Sequence, residues 1–225
     1  MFLLLLKLLN YSFFSTDNYT MKHFAFFLVF LTTFTFCLNA FEQDGVSSWY
    51  GPNFHGKMTA GGEIFNTEDF TAAHRSLPFN SVIKVTSLDN GHSIFVRVTD
   101  RGPFAKDRIL DLSNAAAKKL DMLKTGTARI HIDLVREGDG KYYNPSNKHF
   151  AGKKYTIIIA TYKEEKYCDA FMKRLVAWGV TPIKQKGKNK GTYRLILKDL
   201  TYEQMQFNRI RVDNAGCHTY KVETH

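Results

Sequence analysis

Three side chains form a set able to move protons: Glu63, His74 and Asp100. Two carboxyls and an imidazole are common groups for general acid–base work near neutral pH. Each sits beside glycines or at the end of an extended run. Glu63 follows Gly61-Gly62, His74 ends Thr71-Ala72-Ala73-His74, and Asp100 ends an apolar run just before Arg101-Gly102-Pro103. Asp100 is the first choice for an acid, because the chain turns where its carboxyl projects. Ordinary roles compete at each position. Asp100 can cap a turn or pair with Arg101, Glu63 can be an idle loop acid, and His74 can tie a strand to a loop.

The elements around these residues read mostly as strand and turn from Val46 to about Val135. Val82–Thr86 is β-rich, Asn90-Gly91 is a hairpin turn because both residues tolerate positive φ, and Ile94–Thr99 returns with strict apolar alternation. Arg108–Leu112 reads as another short strand, and Ser113 is placed to cap a helix over Asn114–Leu120, with Gly126 beyond its end. Ala128–Val135 alternates again. Short strands, many glycines and one small helix predict a closed β-barrel over 41–135.

Residues 136–152 are polar and irregular and read as a linker. Beyond them, 153–225 predicts a second unit of order βαββαβ, an α+β fold. Its strands are expected at Tyr155–Ala160, Thr181–Lys186, Thr192–Leu197 and His218–Glu223. Its helices are expected at Glu164–Gly179 and Tyr202–Ala215, with Tyr167, Phe171, Leu175 and Trp178 on the buried face of the first.

The chain has 225 residues, 44% apolar and 23% charged, which suits a folded protein of one large or two small domains. A formal charge of +10 favours a polyanion: nucleic acid, anionic lipid or an anionic cell wall. Residues 1–40 read as a secretory signal, with Met21-Lys22-His23 before an apolar run and Ala40 at a cleavage point. Translation starting at Met21 is the expectation; one long signal or a pair of membrane spans are the alternatives. Removal of that segment leaves Cys168 and Cys217, which an oxidising compartment allows to pair. No CxxC or HExxH occurs, so neither a metal nor a cofactor is expected.

Taken together, Ser48-Trp49-Tyr50-Gly51, Phe54-His55-Gly56, Thr59-Ala60-Gly61-Gly62-Glu63, Thr71–His74, Asp100–Phe104 and Ile109–Ser113 resemble the rare lipoprotein A (RlpA) family. The resemblance covers Val46–Val135. It implies a double-psi β-barrel acting as a lytic transglycosylase of bacterial peptidoglycan, with catalytic residues at Asp100, Glu63 and His74. The second unit looks like a SPOR domain, a small ferredoxin- or RNP-like module, which in the family binds glycan strands stripped of stem peptides, commonly at the division septum. The implied setting is the periplasm or cell envelope, with cell-division proteins as further partners. Phe36 before Cys37 departs from the small residue that a lipidated cysteine normally follows, so the family's outer-membrane anchor stays open.

A lytic transglycosylase lets the C6 hydroxyl of muramic acid attack C1, leaving a 1,6-anhydro end without water. One acid can protonate the leaving oxygen and then take the proton from O6. Asp100 is assigned that role, with Glu63 as a second acid or a group tuning Asp100, and His74 as a hydrogen-bonding partner. Trp49 and Tyr50 can stack on sugar faces, although Trp49 also suits a core. Phe54, His55 and Lys57 are groove candidates, and Arg101 can bind an N-acetyl or lactyl oxygen or clamp Asp111. The rival is an expansin-like wall-binding protein without turnover. The βαββαβ order also resembles an RNA-binding fold, but the RNP1 pattern is missing and an exported chain rarely meets RNA, so no nucleic-acid partner is expected.

Overall fold

Six strands close into a barrel: β1 (Glu42–Trp49), β2 (Thr71–His74), β3 (Val82–Ser87), β4 (Ser93–Asp100), β5 (Leu110–Leu112) and β6 (Thr127–Arg136). These belong to a computed structural model that describes residues 41–144, 150 and 152–225. The readings placed on residues 1–40, including the signal, the start at Met21 and Cys37, fall outside the described residues. Among the described residues no helix is long and apolar enough to cross a membrane.

The strand order around the barrel is β1-β5-β2-β4-β3-β6, with β1 meeting β6 to close it. The β1–β5 and β2–β4 pairs are parallel, while β2–β5, β3–β4, β3–β6 and β1–β6 are antiparallel. This interleaving is the double-psi barrel. Closure leaves no free sheet edge, because each strand's amides and carbonyls find partners on both sides. Alternation along the strands turns Ile83, Val85, Ile94, Val96, Leu110, Leu112, Ile130 and Ile132 inward, all essentially without exposed surface.

The expected hairpin is present. β3 and β4 pair antiparallel around Asn90-Gly91, with Gly91 at φ +76°. The helix α1 (Asn114–Lys119) starts where expected, and the Ser113 hydroxyl accepts a hydrogen bond from the Ala116 amide. Two strands went unread in the sequence, β1 and β2. They carry Ser48-Trp49 and Thr71–His74, whose polar residues and alanines gave no period-two signal.

The second sheet has the order β10-β7-β9-β8, built from β7 (Tyr155–Tyr162), β8 (Ile183–Lys186), β9 (Tyr193–Leu200) and β10 (Lys221–Thr224). With α2 (Glu165–Ala177) and α3 (Tyr202–Asn214), it gives the βαββαβ order read from the sequence. Thr201 and Gln204 close a capping box at the start of α3. The buried stripe of α2 is Cys168, Phe171 and Leu175; Tyr167 is instead exposed, with Lys166 over its ring. Cys168 and Cys217 are both free thiols, the first buried. The pairing that an oxidising compartment would allow is absent between them.

Residues 41–225 pack as one unit. The Asn214 side chain accepts from the Phe95 amide and donates to the Phe95 carbonyl, both at 2.9 Å, so α3 satisfies a backbone position on β4. Arg136 reaches the buried Asp213 at 3.1 Å. Within the stretch read as a linker, the Gly138 amide donates to the Ser81 hydroxyl, and the Tyr143 amide donates to the Gly61 carbonyl at 2.7 Å.

The last contact yields a prediction. Gly62 has φ +88°, and a Cβ there would lie 2.1 Å from the Tyr143 carbonyl oxygen; Gly91 has φ +76° with open space around it. Gly91→Ala should cost about 1–2 kcal/mol, the ordinary left-handed penalty. Gly62→Ala should cost clearly more, as read by denaturant unfolding of the two variants side by side.

Candidate functional site

The site grows from the end of β4. Asp100 closes the strand, and its carboxyl is held on both oxygens. Its Oδ1 accepts from the Ala60 amide at 2.7 Å and from the Arg101 amide at 2.8 Å, while Oδ2 accepts from the Tyr50 hydroxyl at 2.9 Å. The Ala60 donor comes from the loop between β1 and β2, which is pinned to β4 by the Gly61 amide on the Thr99 carbonyl. Burial raises the Tyr50 pKa far above the phenol range, with Asp100 adding to the shift, so Tyr50 stays a neutral donor.

Glu63 belongs to the same loop but serves a different partner. Its two oxygens take Arg97 Nη1 and Nη2, each at 2.6 Å, in a bidentate pair whose side chains are 13% and 4% exposed. Arg97 also donates to the Asn80 side chain at 3.0 Å. Burial pulls the guanidinium's pKa down, but Glu63, with Tyr202 and Asp69 adding, raises it above its usual value overall. Asn80 and Arg97 thus hold Glu63 against the barrel wall.

His74 is buried at the end of β2, with partners that fix its tautomer. Its Nδ1 accepts from the Leu77 amide at 3.0 Å and the Ser76 amide at 3.3 Å, which leaves Nε2–H to donate to the Gln43 side-chain oxygen Oε1 at 3.2 Å. Burial first, then Arg101 and Arg75, lower its pKa, so the ring is neutral at pH 7. The hydrogen bonds of Glu63 and His74 therefore run to Arg97, and to Gln43 and the 76–77 turn, rather than to Asp100.

An aromatic shelf adjoins the Asp100 carboxyl. The Tyr50 ring lies 4.7 Å from that of Phe65 and 5.2 Å from the exposed Phe54, over which Lys57 Nζ sits at 5.0 Å. Trp49 is half-buried and packs on the barrel core. His55 is exposed; its Nδ1 lies 3.4 Å from the Thr67 amide. Arg101 stacks on Phe79, with its guanidinium carbon 3.6 Å from the ring centroid. It does not clamp Asp111, which pairs with Ser48 and Arg108.

Beyond Glu63 a cleft of ≈ 450 Å³ runs between the 55–69 loop and α3, lined by His55, Phe65, Asp69, Arg97, Gln204 and Phe207 among others. Burial pushes the Asp69 carboxyl up to about 6, against the lowering pull of Arg97 and Arg211.

Residues 42–132 match the family described as lytic transglycolase. Over 95 residues the chain is 60% identical to the endolytic peptidoglycan transglycosylase RlpA of Helicobacter pylori strain 26695, covering 42% of this chain and 30% of the relative. It is 48% identical over 101 residues to the Campylobacter jejuni RlpA (45% and 37% covered) and 54% identical over 96 residues to that of Pseudomonas aeruginosa strain UCBPP-PA14 (43% and 28%). The barrel of this chain is similar in sequence to these RlpA proteins. The chain spans 28% to 37% of the length of these relatives. Among solved structures, an expansin of Clavibacter michiganensis is similar at a TM-score of 0.37 and 14% identity, covering 72% of this chain and 92% of that one.

Within this RlpA-like barrel, the residue the sequence reading missed is Arg97. The signal was present: a single cation among Ile94, Val96 and Val98 in an otherwise apolar strand calls for a buried counter-ion. The Ala60 amide carries no side-chain signal at all.

Two outcomes follow. Glu63→Ala leaves a buried guanidinium unpaired and should cost about 3–5 kcal/mol of stability by denaturant unfolding, with part of the loss recovered when Arg97→Met is added. Asp69 has its folded pKa raised above the unfolded value, so it contributes stability at low pH that is lost as pH rises through about 6. Relative to the native chain, Asp69→Asn should therefore become progressively more favourable between pH 4 and 7, and level off above that, in unfolding curves taken across the range.

Proposed function

We propose that this protein is a peptidoglycan lytic transglycosylase that cleaves the MurNAc–GlcNAc β-1,4 bond of strands lacking stem peptides and leaves 1,6-anhydroMurNAc ends. The observation that carries the reading is the asymmetric grip on Asp100. Oδ1 is committed to two backbone amides, which can only donate. Oδ2 faces a hydroxyl, which can donate to the carboxylate or accept from the acid. The same contact thus serves both protonation states of one group.

In the proposed reaction, Oδ2 of the protonated Asp100 gives its proton to the glycosidic oxygen as the C1–O bond breaks. The C6 hydroxyl of the same muramoyl residue then forms the bond to C1, and its proton returns to Oδ2. Atoms balance without water, and Asp100 ends as it began. Glu63 and His74 act as positioning residues: Glu63, through Arg97, fixes the loop that supplies the Ala60 amide, and His74 fixes the end of β2 beside Asp100. Register supports this, since Ala73 is the cross-strand partner of Asp100. Tyr50, Phe54, His55 and Lys57 offer the sugar an aromatic and polar shelf, and Trp49 supports it from behind.

The reading extends to the rest of the chain. The 153–225 unit would hold glycan on the sheet face opposite its helices, where Gln185, Arg194, Lys198 and Glu223 line a shallow cleft, as a SPOR-like module would. Attachment to such a module would raise the local concentration of strands at the barrel. Residues 1–40 would direct the chain to the periplasm or envelope, with Cys37 as a candidate anchor and the division septum as the place of action.

The test is mass spectrometry of the soluble products released from amidase-treated peptidoglycan by the purified protein and by Asp100→Asn. Anhydro-ended fragments from the first, reduced by at least about 10²-fold in the second, are expected. Reducing ends would replace the intramolecular attack by hydrolysis. Release by neither protein, with both pelleting on the glycan, would make the barrel a binding module.

A further inference from the structure

A second groove starts at the residue after Asp100. It has a volume of ≈ 570 Å³ and is lined by Arg75, Arg101, Gly102, Pro103, Phe104 and Lys106. Its two arginines are held in place, while Lys106 is exposed at its edge. Arg75 is locked by three backbone carbonyls: Nε donates to Pro103 at 2.8 Å, and Nη2 to Ala105 and Arg108 at 2.6 and 2.7 Å. Arg101 lies flat on Phe79, with only long contacts, 3.4 Å each, to the carbonyls of His74 and Asp100. Among the described residues, the carboxylates that form salt bridges pair with cations elsewhere: Glu63 with Arg97, Asp111 with Arg108, Asp89 with Arg129. Among the described residues Arg75, Arg101 and Lys106 form no salt bridge, and the carboxylate whose charge reaches Arg101 is Asp100 at the groove's edge. The groove's field reaches the neighbouring His74, whose pKa Arg101 and Arg75 help to lower.

Pre-positioned guanidinium groups outside any salt bridge suit a carboxylate, because the ordering cost has already been met within the fold. Phe104, 88% exposed at the groove's edge, adds an apolar surface beside the charge. The adjoining acid, Asp100, marks where the scissile bond would lie. A carboxylate on the sugar being cleaved would fall in this groove if borne on a short arm.

We propose that the Arg75–Arg101–Lys106 groove is an anion subsite that takes the free lactyl carboxylate of the muramoyl residue at the cleavage point. This rests on the function proposed above and adds a reason for its substrate class. While the stem peptide is attached, the lactyl carbonyl is a neutral amide. Hydrolysis of that amide bond leaves one carboxylate per muramoyl residue, so peptide removal is read as a gain of charge. An amidase-type hydrolysis must then precede this enzyme.

The experiment compares peptide-free glycan strands with the same strands whose lactyl carboxylates have been converted to methylamides. The two differ by one charge per muramoyl residue and little in size. The native protein should favour the free acid by about tenfold in kcat/KM, the ratio that one charge-assisted hydrogen bond supplies. The preference should shrink as salt is raised. Lys106→Gln should lower that ratio by slowing the free-acid strand while leaving the methylamide strand nearly unchanged. Equal rates on both strands by the native protein would overturn the subsite and leave the transglycosylase reading standing. A variant that slows both strands alike would also overturn it. If neither strand is cut, the function itself fails, and equilibrium binding of the two strands decides the subsite: equal affinity refutes it, and tighter binding of the free acid upholds it.

Discussion

The bidentate pair between Glu63 and Arg97 is the constraint on which the site depends. A long loop leaves β1 after Trp49 and returns at β2, and such a loop has many conformations to lose. Glu63 fastens it to the middle of β4, where a guanidinium buried beneath apolar neighbours demands a counter-charge. With that point fixed, the Gly61 amide meets the Thr99 carbonyl, and the Ala60 amide falls on the Asp100 carboxyl one residue further along the strand. A pair that looks catalytic by residue type thus works by geometry.

The polar groups around Asp100 divide by charge. On one side the contacts are neutral: a phenol held protonated by burial, and an imidazole held neutral by burial and by nearby arginines. On the other, Arg75 and Arg101 supply positive charge outside any salt bridge, fixed by backbone carbonyls and by the face of Phe79. The Asp100 carboxyl thus lies between an aromatic shelf and a cationic groove.

The second sheet is joined to this arrangement through backbone-level contacts. Asn214 completes the hydrogen bonding of Phe95 on β4, the strand that carries both Arg97 and Asp100. Tyr143 packs its backbone against the Gly61-Gly62 loop. The polar composition of 136–152 suggested only a connector, because hydrogen bonds made by backbone atoms leave no trace in residue type.

The sequence alone determined the local pieces. The Asn90-Gly91 hairpin, the Ser113 cap, the alternation of β4 and β6 and the βαββαβ order all follow from short-range preferences of turns, caps and apolar spacing. Motif spacing also placed Glu63, His74 and Asp100 near one family's pattern. Tertiary structure decided what each contacts. Strand pairing between β1 and β5, or β2 and β4, joins residues far apart in the chain, and no local period encodes it. That pairing put Arg97 under Glu63, turned His74 towards Gln43, and gave Asp100 its grip from Ala60 and Tyr50. The partner of a buried charge is chosen by the closed barrel, not by its sequence neighbours.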